Sequence, residues 1–226
     1  METTNEDYKM ICDELNVIYP KDEIEAFIKK KNRNAIICNE IQNNWGNFLA
    51  DCLSPVKDNQ FELNKTRISM KIEIASVYID SLVHTACSLY DCILHVINKT
   101  LLRFHSNELS DRRVTGEEVS KKLKQYNEIT ILDKITDFEN SNEYKYFHAF
   151  DIVSKHRGII ESNFSVSTKV GELVQYGSKI LQFDYDGVIY DEIFQDELIR
   201  KYSNYFIKLI AIFEETYNRM VSEKNA

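Results

Sequence analysis

The stretch that decides the fold is residues 66–104, TRISMKIEIASVYIDSLVHTACSLYDCILHVINKTLLRF. It contains neither Gly nor Pro, and its apolar residues recur mostly at steps of three or four positions. That spacing is typical of one buried face of an α-helix. The residues on this face are Ile68, Ile72, Val77, Ile79, Leu82, Val83, Ala86, Leu89, Ile93, Val96, Ile97, Leu101 and Leu102. We therefore predict one very long helix here, straight or bent.

Helical patterns continue on both sides of this stretch. Residues 1–60 contain two helical fragments, and a further helix is predicted to begin at Thr115, with Glu118 three positions on as in a capping box. A break is expected at 126–127, and a short helix is expected to end at Gly158, because glycine is the usual residue after a helix C-terminus.

The pattern changes after this short helix. Residues 159–190 are rich in β-branched and aromatic residues with glycines between them, which predicts two or three antiparallel strands. The dipeptide Asp186-Gly187 is typical of a hairpin turn. From about residue 191 the chain is predicted to be helical again.

The predicted fold is mainly α, with a small antiparallel β-hairpin inserted at about 159–190, before the last helix. There is no internal repeat, linker or low-complexity tract. We therefore expect a single domain over residues 1–226. Within it, residues 1–60 form an N-terminal helical extension and residues 65–226 form a helical bundle that carries the hairpin.

Composition and charge exclude several classes of protein. The 226 residues include only 6 Gly and 2 Pro and are 43% hydrophobic, which argues against an all-β sandwich and against a disordered chain. The net charge of −8 argues against binding along a wide nucleic-acid surface but leaves room for a small local basic site. Nucleotide hydrolysis and acyl transfer are disfavoured, because the sequence has no Gly-rich phosphate loop and no nucleophile elbow.

The cysteines and the first residues indicate the compartment. The five cysteines include no C-x-x-C pair, and the first ten residues, METTNEDYKM, have no apolar signal core. No run approaches the ~18 apolar residues of a membrane span. These features predict a cytoplasmic protein that does not cross a membrane.

The string Lys155-His156-Arg157, at the end of a predicted helix, is the strongest candidate site. A histidine with a pKa near neutrality can move the protons of RNA cleavage, while cations beside it hold the phosphate. The simpler interpretation is a charged helix C-terminus, since cations there interact favourably with the last carbonyls.

The stretch YKYFHAFDIVSKHRGII at 144–160, followed by a hairpin and a final amphipathic helix, resembles the HEPN superfamily of helical bundles from prokaryotic defence and toxin systems. In particular it is similar to a stand-alone bacterial branch that carries KHR at this place. The order of the elements also resembles that family, and the resemblance extends over about residues 65–220.

The resemblance implies a metal-independent endoribonuclease with no cofactor, in which His156 matches the family's histidine. Phe150, Asp151 and Ile152 occupy the positions of the family's upstream arginine, so Lys155 or Arg157 would supply the cation and Asp151 the polar partner. The resemblance also implies a homodimer that acts on RNA or a nucleotide, with an antitoxin or regulatory protein as a further partner. The missing arginine favours the alternative of a non-catalytic module that binds a nucleotide, RNA or protein.

A second set of candidates lies on the long helix. Asp80, His84, Asp91 and His95 lie at offsets of 0, 4, 11 and 15 positions, so at about 100° per residue they share one face. This stripe would line the same cleft as His156, with Asp80 and His84 in binding roles. A weaker alternative is a metal-dependent hydrolase that uses this stripe, with third and fourth metal ligands supplied by another helix. The simplest interpretation is two ordinary Asp–His pairs at i,i+4.

Overall fold

The computed structural model describes residues 2–44, 61–156, 158, 160–169 and 172–225. Over these residues the chain is mainly helical, with a small antiparallel β structure before the last helix. The predicted fold class is confirmed.

Seven α-helices occur in the described residues. They are α1 (Glu2–Glu14), α2 (Lys21–Asn43), α3 (Phe61–Ile97), α4 (Gly116–Gln125), α5 (Ile129–Asn140), α6 (Asn142–His156) and α7 (Gln195–Lys224). Both helical fragments predicted in residues 1–60 are present, as α1 and α2. The part of the second prediction that falls within 45–60 lies outside the described residues.

The predicted long helix is confirmed as α3, which has 37 residues. It continues directly into a π-helix, Asn98–Leu102. The buried side chain of Asn98 holds the following loop, because its Nδ2 donates to the Leu109 carbonyl at 2.9 Å and its Oδ1 accepts from the Leu109 N–H at 2.7 Å. The chain stays helical through residues 103 and 104, so the wider turn lies just before the end of the helical stretch.

The helix boundaries predicted after α3 are also confirmed. The Thr115 hydroxyl accepts the N–H of Glu118 at 3.3 Å, as expected for an N-cap. The break at 126–127 separates α4 from α5, and Asn127 has a φ of 59°, a value that a continuing helix does not allow.

Five strands form two small sheets in the described part of the chain. They are β1 (Ser162–Lys169), β2 (Glu172–Ile180), β3 (Phe183–Tyr185), β4 (Val188–Tyr190) and β5 (Ile193–Phe194). The sheet order is β1-β2-β5, and β3 pairs with β4 as a hairpin with Asp186-Gly187 at its turn, as predicted. The strand number exceeds the predicted two or three, because strands of two or three residues are too short to give a periodic signal.

The described chain forms two compact units, each built from segments that are distant in sequence. The first comprises Met1–Lys31, Ala86–Lys145 and Asn204–Ala226, and the second comprises Asn32–Thr85 and Tyr146–Ser203. The predicted single domain with an N-terminal extension stays a prediction.

Aromatic rings pack against one another in both cores. In the first unit Phe138 packs edge-on against Tyr144 and Tyr205, with ring centroids 5.0 and 4.9 Å apart. In the second unit Phe183 stacks on Tyr190 at 5.0 Å and meets Phe150 edge-on at 5.6 Å. Burying such rings supplies much of the apolar driving force for folding.

No helix among the described residues has both the length and the apolar character required to cross a bilayer. No disulfide joins the four described cysteines, Cys12, Cys38, Cys87 and Cys92.

We predict that two glycine substitutions in the second unit differ in cost. Gly177 and Gly187 both have positive φ, 139° and 76°. A Cβ at 177 would lie 2.9 Å from the side chain of buried Gln195, whose Oε1 accepts the Ser178 N–H at 3.2 Å, whereas a Cβ at 187 meets nothing within 4 Å. Gly187→Ala should lower the free energy of unfolding by about 1 kcal/mol and Gly177→Ala by about 2–4 kcal/mol. Urea unfolding measures both, and equal losses would contradict the packing argument.

Candidate functional site

The predicted string lies at the C-terminus of α6, which ends at His156. The side chains of Lys155 and His156 are exposed. Arg157 lies outside the described residues. Gly158 follows with a φ of 112°, so the chain leaves the helix through the glycine stop that the sequence predicts.

The Asp151 carboxylate is the centre of the polar group that the second unit assembles here. One oxygen, Oδ2, accepts from Nζ of Lys155 at 2.6 Å, and the other, Oδ1, is hydrogen-bonded to Nδ1 of His84. The side-chain exposure is 11% for Asp151, 40% for His84 and 54% for Lys155. A nearly buried carboxylate therefore lies beneath an imidazole and an ammonium group that solvent reaches. We call His84, Asp151 and Lys155 the carboxylate triad.

Helix periodicity brings two members of the triad together. Asp151 and Lys155 are four positions apart on α6, so they lie on one face of that helix. Asp151 is itself buried, between the fully buried Phe150 and the buried Val153. A buried carboxylate is costly unless charged or polar donors satisfy it, and Lys155 and His84 are those donors.

The hydrogen bond fixes the orientation of the His84 ring. An ionised carboxylate only accepts hydrogen bonds, so Nδ1 of His84 carries the hydrogen and donates to Asp151. In the neutral ring, Nε2 then has a free lone pair and can take up a proton. This arrangement of carboxylate and imidazole suits a general base.

Asp80 lies one helical turn before His84. Its Oδ1 is buried and has no hydrogen-bond partner among the described residues. Burial raises the pKa of Asp80, and the nearby His84 opposes that rise. Asp80 therefore contributes a carboxyl group that gains a proton more readily than an exposed aspartate does.

His156 leaves α6 in a different direction from the triad. At about 100° per residue it lies about 140° around the helix from Asp151 and about 100° from Lys155. The structure brings together His84, Asp151 and Lys155 and places His156 beside them along the chain, on another face of α6. His156 is therefore not a member of the carboxylate triad.

The other half of the predicted stripe lies in the first unit. Asp91 is exposed, and Nδ1 of His95 lies 4.0 Å from Oδ1 of Asp111. Within the described ranges, no group of three or more His, Cys, Asp or Glu side chains could hold a metal ion.

A second histidine–carboxylate group was not predicted. In the first unit the buried Glu128 is hydrogen-bonded to Nε2 of His105 at 3.0 Å and accepts from Nε of Arg219 at 2.7 Å. His105 also stacks on Tyr126, with ring centroids 4.5 Å apart. The glutamate is 5% exposed and His105 is 19% exposed, so this group is less accessible than the carboxylate triad.

Sequence reasoning selected all three triad residues but did not predict the bond between His84 and Asp151. The signal that was available is the lone acid in the apolar string AFDIV, at 149–153. A charged residue on a buried face requires a partner. The sequence does not say which donor supplies it.

Comparison with known proteins found no match: no family model, no curated protein and no solved structure is similar to this chain.

We predict that Asp80→Asn changes stability in a pH-dependent way. Because burial raises the pKa of Asp80, the folded state binds more protons than the unfolded state just above pH 4, and wild-type stability falls as pH rises through that window. Asn does not titrate, so the variant should gain stability relative to wild type between pH 4 and pH 7. Urea unfolding across this range measures the difference.

The control for this prediction is Asp137→Asn, which removes an exposed carboxylate from α5. An Asp80→Asn difference that does not change with pH, or that changes in the same way as the Asp137→Asn difference, would show that burial does not penalise the Asp80 charge.

Proposed function

We propose that the protein is a HEPN-like, metal-independent endoribonuclease that cleaves RNA at the surface formed by the carboxylate triad and the end of α6. The observation that carries the proposal is the Asp151 carboxylate shared by His84 and Lys155. This carboxylate holds the His84 imidazole in a fixed orientation beside the Lys155 ammonium group. RNA cleavage needs a proton-transfer group and a cation of these kinds. The predicted His156 and Arg157 follow directly in sequence.

In the proposed reaction, Nε2 of His84 takes the proton from an RNA 2′-hydroxyl. The 2′-oxygen attacks the adjacent phosphorus, and the bond to the 5′-oxygen breaks. His156 gives a proton to the departing 5′-oxygen, so the products are a 2′,3′-cyclic phosphate and a 5′-hydroxyl. Lys155 and Arg157 hold the phosphate and stabilise its developing negative charge. Asp151 keeps the His84 ring in the tautomer that the step requires.

The resemblance to the HEPN superfamily also suggests where the protein acts. In this proposal the protein is a cytoplasmic homodimer of a prokaryotic defence or toxin–antitoxin type system, with an antitoxin or another regulatory protein as its partner. The acidic net charge of −8 is compatible with this proposal, because a local site requires few phosphate contacts.

A non-catalytic binding module is the second candidate. The missing upstream arginine favours it, because Phe150, Asp151 and Ile152 occupy the positions where the HEPN resemblance expects that arginine. Such a module would bind RNA or a nucleotide at the end of α6 without cleaving it.

We predict that His84→Ala and His156→Ala each reduce RNA cleavage by at least about 100-fold, because each removes one proton-transfer group. Cleavage of a single-stranded RNA by purified protein, in excess EDTA, is followed by gel, with circular dichroism as the test of folding. His148→Ala is the matched control, since His148 is an exposed histidine two turns earlier on α6.

A modified RNA substrate in the same assay tests whether the 2′-hydroxyl is the attacking group. An RNA with a single 2′-deoxy substitution at the cleaved position should resist cleavage there, because it lacks the attacking hydroxyl. Cleavage that EDTA abolishes would contradict the metal-independent mechanism. Binding of the RNA with no cleavage would support the binding module instead.

We predict that Asp151→Asn reduces cleavage by at least about 10-fold, because the carboxamide can present either an acceptor or a donor to the His84 ring. The double variant Asp151→Asn with His84→Ala distinguishes a positioning role of Asp151 from a general loss of structure. If Asp151 acts through His84, adding Asp151→Asn to His84→Ala should cost little further activity. Independent losses that multiply would contradict the positioning role.

A further inference from the structure

The first unit contains a cavity of about 160 Å³ that the proposed function does not use. It lies between α1, α2, α3 and α7. Its lining residues are Tyr8, Ile24, Phe27, Ile28, Cys92, Ile93, Val96, Ile210, Phe213, Glu214 and Tyr217. All of them belong to the first unit.

Helix periodicity explains why these side chains converge. α2 contributes Ile24, Phe27 and Ile28, which lie at i, i+3 and i+4, and the α7 residues between Ile210 and Tyr217 follow the same spacing. The rings at the wall meet at fixed angles, with Tyr8 edge-on to Phe213 at 6.0 Å. Rigid rings held in this way leave a gap between the helices that no side chain of the lining fills.

The floor of the cavity is apolar. The Tyr8 hydroxyl donates to Oγ1 of Thr100 at 3.3 Å, and Thr100 donates in turn to the Val96 carbonyl at 2.7 Å. The Cys92 thiol accepts from Nζ of Lys30 at 3.5 Å. None of the described lining side chains has a buried polar atom without a hydrogen-bond partner. This lining has few free hydrogen-bonding groups for a water molecule, so it favours an apolar occupant.

The mouth of the cavity has a different chemistry. Ile28, Ile210, Phe213 and Tyr217 are half-buried, and Glu214 is exposed beside them. Among the described lining residues, Glu214 is the one with a charged side chain. A cation at this point would meet both a carboxylate and the aromatic rings of Phe213 and Tyr217. The net charge of −8 also favours a cationic ligand over an anionic one.

We infer that this cavity binds a small arylalkylamine, with the aromatic ring inside and the ammonium group at Glu214. The volume fits one six-membered ring, since an apolar protein cavity of about 150 Å³ holds benzene. The four aromatic residues of the lining favour an aromatic ring by edge-to-face contact. The site shares no residue with the carboxylate triad, so it stands or fails independently of the proposed ribonuclease.

The test compares three ligands of similar size and different charge: 2-phenylethylamine, 2-phenylethanol and 3-phenylpropionate. Binding to the full chain is measured by calorimetry at low salt. We expect the amine to bind about 5- to 10-fold more tightly than the alcohol, and the carboxylate to bind most weakly. Equal affinity for the amine and the carboxylate, or no binding of the amine at millimolar concentration, would overturn the inference.

Variants assign the binding to this cavity. Glu214→Gln should remove the preference for the amine over the alcohol and leave alcohol binding unchanged. Glu215→Gln is the matched control, because Glu215 is the next residue of α7, pairs with Lys134 at 3.9 Å and is not part of the lining. Its preference for the amine should equal that of wild type.

A bulky residue at the mouth should block all three ligands. Ile28→Trp tests this on α2, and Ile210→Phe tests it from α7, so that one informative variant remains if the other fails to fold. Circular dichroism monitors folding. Undiminished binding of the amine to a folded blocking variant would overturn the assignment to this cavity.

Discussion

The burial of helix α3 is the constraint on which the rest of the structure depends. The helix has 37 residues, and most of its apolar side chains from Ala75 to Ile97 are inaccessible to solvent. Each large apolar side chain buried in this way contributes about 1.5–3 kcal/mol. A polar residue in such a helix costs free energy unless a partner compensates for its lost hydration. His84 meets that condition through Asp151.

The buried carboxylates of Asp151 and Glu128 make similar hydrogen bonds but differ in how far solvent reaches their histidine partners. Asp151 and Glu128 each bind one histidine and one basic side chain. Glu128 raises the pKa of Arg219 through its hydrogen bond, and its histidine is largely covered by the surrounding chain. The histidine of Asp151 is more exposed. Because a substrate must reach the imidazole, accessibility rather than bonding pattern makes the carboxylate triad the candidate site.

Local interactions account for the parts of the fold that the sequence predicts well. The cap at Thr115, the break at 126–127 and the turn at Asp186-Gly187 each depend on residues within four positions of one another. The strand β5 is different. Its two residues are extended because they pair with Lys179 and Ile180 of β2, and a pattern of two residues carries no periodicity.

The sequence by itself determined the helical class, most helix boundaries and the residue types able to move a proton or hold a phosphate, because these follow from helix periodicity and side-chain chemistry. Tertiary structure alone decided which of these residues meet. His84 and Asp151 are 67 positions apart, and the bond between them exists only because α3 and α6 pack together. The cavity beside Glu214 also depends on tertiary structure, because a gap between helices depends on how their faces fit together. The sequence of any one of these helices does not predict it.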